Sequence, residues 1–141
     1  MNRVLRMALP MLVLGATTVS AQNRPAQQGG SVVRIQMKQV GQRYVFEPAN
    51  FNVRVGQTVE FVNVSGGPHN VAFEPGRIPA GAADILNRNM PQRLGPLNGP
   101  MITAPNATYR IAFTDVPPGQ YGYFCLPHKA MGMTGVITVT R

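Results

Sequence analysis

One cysteine, two histidines and five acidic residues are all that this 141-residue chain holds of those types. A lone cysteine excludes a disulfide within the chain, so the fold must rest on a packed core. Five Asp and Glu stand against thirteen Lys and Arg, for a net charge of +8 at pH 7. The basic residues are scattered and form no cluster interleaved with stacking aromatics, which argues against a nucleic-acid partner. No apolar run reaches the ~20 residues that span a bilayer. There is no internal repeat and no long amphipathic helix, and the length suits one domain.

What is present begins with a leader. MNRVLR carries two positive charges, the apolar run MALPMLVLGATTV comes next, and VSA stands before Gln22. That order is the signature of a secretory signal peptide over residues 1–21, cleaved after Ala21. The expectation is export, to a periplasm or into the medium. No cysteine stands at the processing site to carry a lipid, and no integral membrane segment remains after cleavage. Loss of Arg3 and Arg6 takes two of the eight net positive charges, leaving +6. Residues 22–30, QNRPAQQGG, read as a flexible lead-in, and residues 31–141 as the folded domain. In an exported protein an unpaired thiol is a liability unless it is reactive or ligated.

The domain reads as all-β. Strand-like pieces occur at VVRIQMK (32–38), YVFEP (44–48), FNVRV (51–55) and TVEFVNV (58–64), then at HNVAFE (69–74), ATYRIAF (107–113), YGYFC (121–125) and GVITVT (135–140). Several alternate apolar and polar residues, giving one buried and one wet face, and Gly, Pro and Asn clusters separate them. Seven or eight short strands at this spacing predict an antiparallel sandwich or barrel. Residues 75–106 break the rhythm with six Pro and four Gly. Only 83–90 there can make a turn or two of helix, and a loop this long is expected to be a structured excursion over one end of the sandwich.

The chemistry concentrates in CLPHKAMGM, where Cys125, His128, Met131 and Met133 fall within nine residues. Thiolate, imidazole and thioether are soft or borderline ligands, and two His with one Cys and a long axial Met describe a blue-copper electron-transfer site. Cys125 and His128 bracket Leu-Pro on a tight turn after a strand, so both can face one metal. The second imidazole must be His69, the only other histidine, at the start of a strand after a Gly-Gly-Pro turn.

These residues carry a resemblance. GPHNVAFEPGRIPAGAAD is similar to the first-histidine segment of plastocyanins, CLPHKAMGM to the ligand loop of pseudoazurins, and MTGVITV to the closing strand of both. Residues 31–141 thus resemble the cupredoxins. The resemblance implies a Greek-key β-sandwich with one type 1 copper at one end, bound by His69, Cys125, His128 and a methionine. Met131 and Met133 compete for the axial place. A shorter loop such as that of amicyanin would select Met131, whereas the register of the exit strand selects Met133. The resemblance also implies that the Asn70 N–H donates to the Cys125 sulfur and that the Asn70 side chain ties the ligand loops. Leu126 stands where the family commonly has Ser or Thr, so that tie must find a backbone group instead.

By the same resemblance His128 exposes an edge, ringed by an apolar docking face of Leu126, Pro127, Pro68 and Met131 for a redox partner. Plant-type plastocyanins offer a second route through a Tyr before the Cys, flanked by acidic patches. Here that residue is Phe124, and Glu74 and Asp84 share the region with Arg77, Arg88 and Arg93, so the expected partner is acidic. The function implied is a monomeric electron carrier, not an enzyme, since both histidines are spent on one centre. The alternative is a protein that stores or delivers copper, but delivery sites are exposed, Met/His-rich and free of a thiolate.

Overall fold

In a computed structural model, residues 30–141 are described; the expected leader (1–21) and nearly all of the lead-in (22–30) lie outside them. Eight strands form the domain: β1 (Val32–Val40), β2 (Arg43–Glu47), β3 (Asn50–Arg54), β4 (Thr58–Asn63), β5 (Ala72–Phe73), β6 (Thr108–Ala112), β7 (Gly119–Phe124) and β8 (Thr134–Thr140). They make two four-stranded sheets, β2-β1-β4-β6 and β3-β8-β7-β5. This is the expected β-sandwich, and each of the eight predicted strand segments overlaps one.

The pairing differs from the antiparallel expectation at two places. β1 runs parallel to β4, and β3 runs parallel to β8. The reason lies in how often the chain reverses. β1 and β2 form a hairpin in the first sheet, and the chain runs on in the direction of β2 as it passes into β3 of the second. It turns back at residues 55–57 to return as β4 along the free side of β1. Two reversals restore the original direction, so β4 and β1 point the same way. Alternation in a strand reports which face is buried and says nothing of the neighbour's direction.

Alternating residues fill the space between the sheets. Ile35 and Met37 of β1, Val59 and Phe61 of β4, Tyr109 and Ile111 of β6 and Ile137 and Val139 of β8 are all buried. Two aromatic groups occupy the interior: Phe46, Phe61 and Tyr123, and Phe73, Phe113 and Tyr121. A fully buried large apolar side chain contributes about 1.5–3 kcal/mol, so these clusters replace the absent disulfide. Each buried tyrosine hydroxyl has a carbonyl acceptor, Ala49 for Tyr123 and Pro117 for Tyr121. On the outer face Glu60 lies beneath Arg34 and Arg110 across three strands.

The excursion 75–106 is ordered. A 3-10 turn (Pro75–Arg77) leads to α1 (Ala82–Asn89), one residue off the predicted start, which buries Ala82 and Leu86. The segment beyond α1 does not simply cap an end. Residues 97–102 run beside 69–73, with hydrogen bonds from Phe73 N–H to the Leu97 carbonyl (2.8 Å), from Gly99 N–H to the Val71 carbonyl (2.9 Å) and between His69 and Ile102 in both directions.

Candidate metal centre

Two connections at one end of the sandwich bring the chemistry together. β4 ends at Asn63, and the Gly-Gly-Pro turn delivers His69, which is fully buried. β7 ends at Phe124, which places Cys125, also fully buried, at the rim. Pro127 lies in the first turn of a 3-10 helix over Leu126–Met131, and its fixed φ suits that position. The helix turns His128 back, so that its N–H bonds the Cys125 carbonyl at 3.1 Å. Gly132, at φ +84°, ends the turn in a left-handed conformation that favours glycine. Met133 then starts the way into β8, with its carbonyl accepting from Cys125 N–H at 3.0 Å.

His69, Cys125 and His128 converge, their donor atoms all lying within 4.8 Å of one another. Cys125 Sγ is 3.7 Å from His69 Nδ1 and 3.4 Å from His128 Nδ1. A first-row ion with bonds of about 2.3 Å to sulfur and about 2.0 Å to nitrogen, as in zinc sites, would separate such donors by roughly 3.5 Å. The residues present therefore fit a metal. No other group of three or more His, Cys, Asp or Glu among the described residues is so placed. His69 Nε2 lies 2.8 Å from the Ser65 carbonyl. That bond puts the proton on Nε2 and leaves Nδ1 a free lone pair toward the sulfur. Burial lowers the affinity of both imidazoles for a proton, opposed in His69 by the Ser65 bond and reinforced in His128 by His69. Burial pushes the Cys125 thiol up, against the N–H groups of Asn70 and His128. Two neutral imidazoles and a thiol that releases its proton to solvent as a cation binds are the ligand states that soft metals take.

The methionines separate clearly. Met133 is fully buried, while Met131 is 52 % exposed. Asn70 is fully buried and touches both loops. Its N–H lies 3.5 Å from Cys125 Sγ, and its Oδ1 accepts from the Leu126 N–H at 2.7 Å. The tie between loops thus survives the loss of a Ser or Thr hydroxyl by using the backbone of the same residue.

Two partners of the site carry no signal in the sequence. Tyr44 of β2 stacks on the His128 imidazole, with ring centroids 3.8 Å apart and planes 7° from parallel. Asn98 of the excursion accepts from Asn70 Nδ2 at 2.7 Å. The position of the plant-type second route, where Phe124 stands, is covered here. Lys129 Nζ sits 4.0 Å from the Phe124 ring centroid and 2.8 Å from Glu74 Oε1.

The sequence of residues 33–140 matches the family described as copper binding proteins, plastocyanin/azurin family. The chain belongs to that family. It is 33 % identical over 135 residues to a plastocyanin of Synechococcus sp. (strain JA-2-3B'a(2-13)), covering 96 % of this chain and 91 % of that protein. Among solved structures it is similar to the oxidized form of plastocyanin from Dryopteris crassirhizoma, with a TM-score of 0.56 at 26 % identity over 77 % of this chain and all of that one. It is also similar to pseudoazurin from Methylobacterium extorquens AM1, with a TM-score of 0.54 at 25 % identity over 77 % of this chain and 75 % of that one. This plastocyanin-like protein is a type 1 copper electron carrier and not an enzyme, and its partners are redox proteins. No helix among the described residues is long and apolar enough to cross a membrane.

Proposed function

We propose that His69, Cys125, His128 and Met133 are the four ligands of a single copper, and that electrons enter and leave at His128. The observation that carries this reading is the buried convergence of His69, Cys125 and His128 from segments 56 positions apart. Copper held by such a set supplies a one-electron couple between Cu(I) and Cu(II). The chain's part is to keep the donors still. His69 is bonded at its ring to Ser65 and at its backbone to Ile102, and Cys125 to Met133 through its N–H. Tyr44 covers one face of the His128 ring, and His128 is buried rather than edge-exposed as the resemblance implied, with only 6 % of its surface open. Donors fixed in this way need little rearrangement when the charge between them changes. Full burial of Met133 favours it over the exposed Met131 as the thioether that would help hold the copper. A buried thiol between two strands also disfavours storage or delivery of the metal.

The docking face belongs to the same reading. Leu126 is 48 % exposed, and Pro68, Pro127 and Met131 are exposed on the two loops that hold the ligands. Glu74 pairs with Arg77 and Lys129, whereas Arg43, Arg88 and Arg93 form no ion pair among the described residues. That balance suits a monomer meeting an acidic redox protein. The leader of residues 1–21 supports export to a periplasm, with residues 31–141 working as one copper domain.

Replacing Cys125 with Ser tests the ligand set. The variant is expected to fold, since no disulfide depends on it, and to lose the intense visible copper–thiolate band. Retention of the band at wild-type strength would remove Cys125 from the site.

A further inference from the structure

The stretch between α1 and β6 supplies more than packing. Asn98 stands there, 28 residues from Asn70 along the chain. The Asn70 side chain is buried and bonded on both sides. Its Oδ1 accepts from Leu126 N–H at 2.7 Å, and its Nδ2 donates to Asn98 Oδ1 at 2.7 Å and to the Gly99 carbonyl at 3.3 Å. Leu126 directly follows Cys125, and the Asn70 backbone N–H reaches the Cys125 sulfur at 3.5 Å. One carboxamide therefore links the two ligand loops, and its orientation decides whether the Leu126 amide finds an acceptor.

A carboxamide offers an acceptor on one side and a donor on the other, and a half-turn about its last bond exchanges them. Asn98 Oδ1 demands a donor from Asn70, and the Leu126 N–H demands an oxygen. Only one orientation serves both. Without Asn98, the longer contact to Gly99 alone would hold the donor side.

Asn98 is itself held firmly. Its N–H donates to the Gly95 carbonyl at 3.2 Å, its carbonyl accepts from Leu94 N–H at 2.9 Å, and it bridges to Ala72. The buried Leu97 before it adopts φ +56°, a left-handed conformation that L side chains rarely take. The Leu97 N–H donates to Asn87 Oδ1 of α1 at 2.7 Å, and its carbonyl takes the Phe73 N–H. Strain of this kind persists only where the surroundings over-determine it. A line of hydrogen bonds thus runs from α1 through this turn to the residue after the cysteine.

We propose that Asn98 is a positioning residue of the copper centre. By holding the Asn70 amide it keeps Leu126 bonded and the Cys125 sulfur within reach of the Asn70 N–H. Hydrogen bonding around that sulfur tunes the reduction potential of a blue-copper site. The proposal rests on the ligand assignment above.

Asn98→Ala and Asn98→Asp test it, through amide exchange in the reduced copper protein and the metal-free protein, and through the reduction potential. In Asn98→Ala the Leu126 amide is expected to exchange about five-fold faster or more, the scale of one lost hydrogen bond. Amides of Val59 and Phe61 in β4 should be unchanged, and the potential should move. Asn98→Asp keeps an acceptor oxygen and should restore Leu126 protection. Unchanged Leu126 exchange, an unmoved potential, no recovery with Asp, or a uniform loss of protection across the chain would each overturn the role. If the wild-type protein took up copper without an intense visible band, the ligand assignment would fail instead. Exchange in the metal-free protein would still report whether Asn98 holds Asn70.

Discussion

Cys125 and His128 were legible because their constraint is local: three positions and an intervening Leu-Pro put both side chains on one turn. His69 was legible for a different reason, being the only other histidine in the chain. Tyr44 was not legible, because a tyrosine in an alternating strand looks the same whether it meets solvent, core or a ligand 84 positions away. Its stack on His128 has a measurable consequence. Tyr44→Ala should weaken copper binding by about 10-fold, the lower end of the effect of removing a group that orients a metal ligand, while Tyr44→Phe keeps the ring and should match the parent. Competition with a chelator of known affinity checks both, and equal loss in the two variants would point to the hydroxyl rather than the stack. The methionines separate in the same way. Met133→Leu should shift the reduction potential, since the axial ligand tunes it, and Met131→Leu on the exposed side should change it much less. Protein-film voltammetry ranks them, and the reverse order would give the axial place to Met131.

At the scale of elements, short strand-like runs, several of them alternating apolar and polar residues, located all eight strands, and the Gly and Pro clusters marked most of their ends. This pattern could not supply the parallel pairs, which depend on how many times the chain reverses direction between the two strands. Nor could it show that residues 97–102 pair beside 69–73, because that segment has no periodicity and its bonds are backbone to backbone. One element carries a sharp constraint. At Gly135, the second residue of β8, an added Cβ would lie 2.1 Å from the Ala49 carbonyl oxygen and 2.6 Å from the Tyr123 ring. Backbone and a buried ring cannot yield cheaply, so Gly135→Ala should destabilise the fold by roughly 1–3 kcal/mol, the usual range for overpacking. Urea unfolding of the metal-free protein measures it, and a midpoint equal to the parent's would mean that β8 shifts freely. The same substitution at Gly76, where nothing lies within 4 Å, is the matched control.

For the molecule as a whole, the paucity of acidic residues was the informative feature, and the fold sharpens it. Glu47, Glu60 and Glu74 are all engaged in ion pairs, so three of the five carboxylates offer little free negative charge. Electron exchange with an acidic redox protein should therefore slow as salt is added, over the range where the Debye length falls through about 10 Å near 0.1 M. With a basic partner the rate should rise or stay flat. Stopped-flow kinetics against one partner of each sign measures the two slopes, and equal slopes would leave recognition to the apolar face alone. Beneath these behaviours lies one buried set, His69, Cys125, His128 and Met133, proposed to hold one copper as a one-electron couple. A spectroelectrochemical titration of the purified protein, with copper counted per chain, tests it most directly. The expected result is one copper per chain and an intense visible band that appears and bleaches reversibly with one electron. Copper bound without that band, or a band indifferent to the electron count, would contradict it.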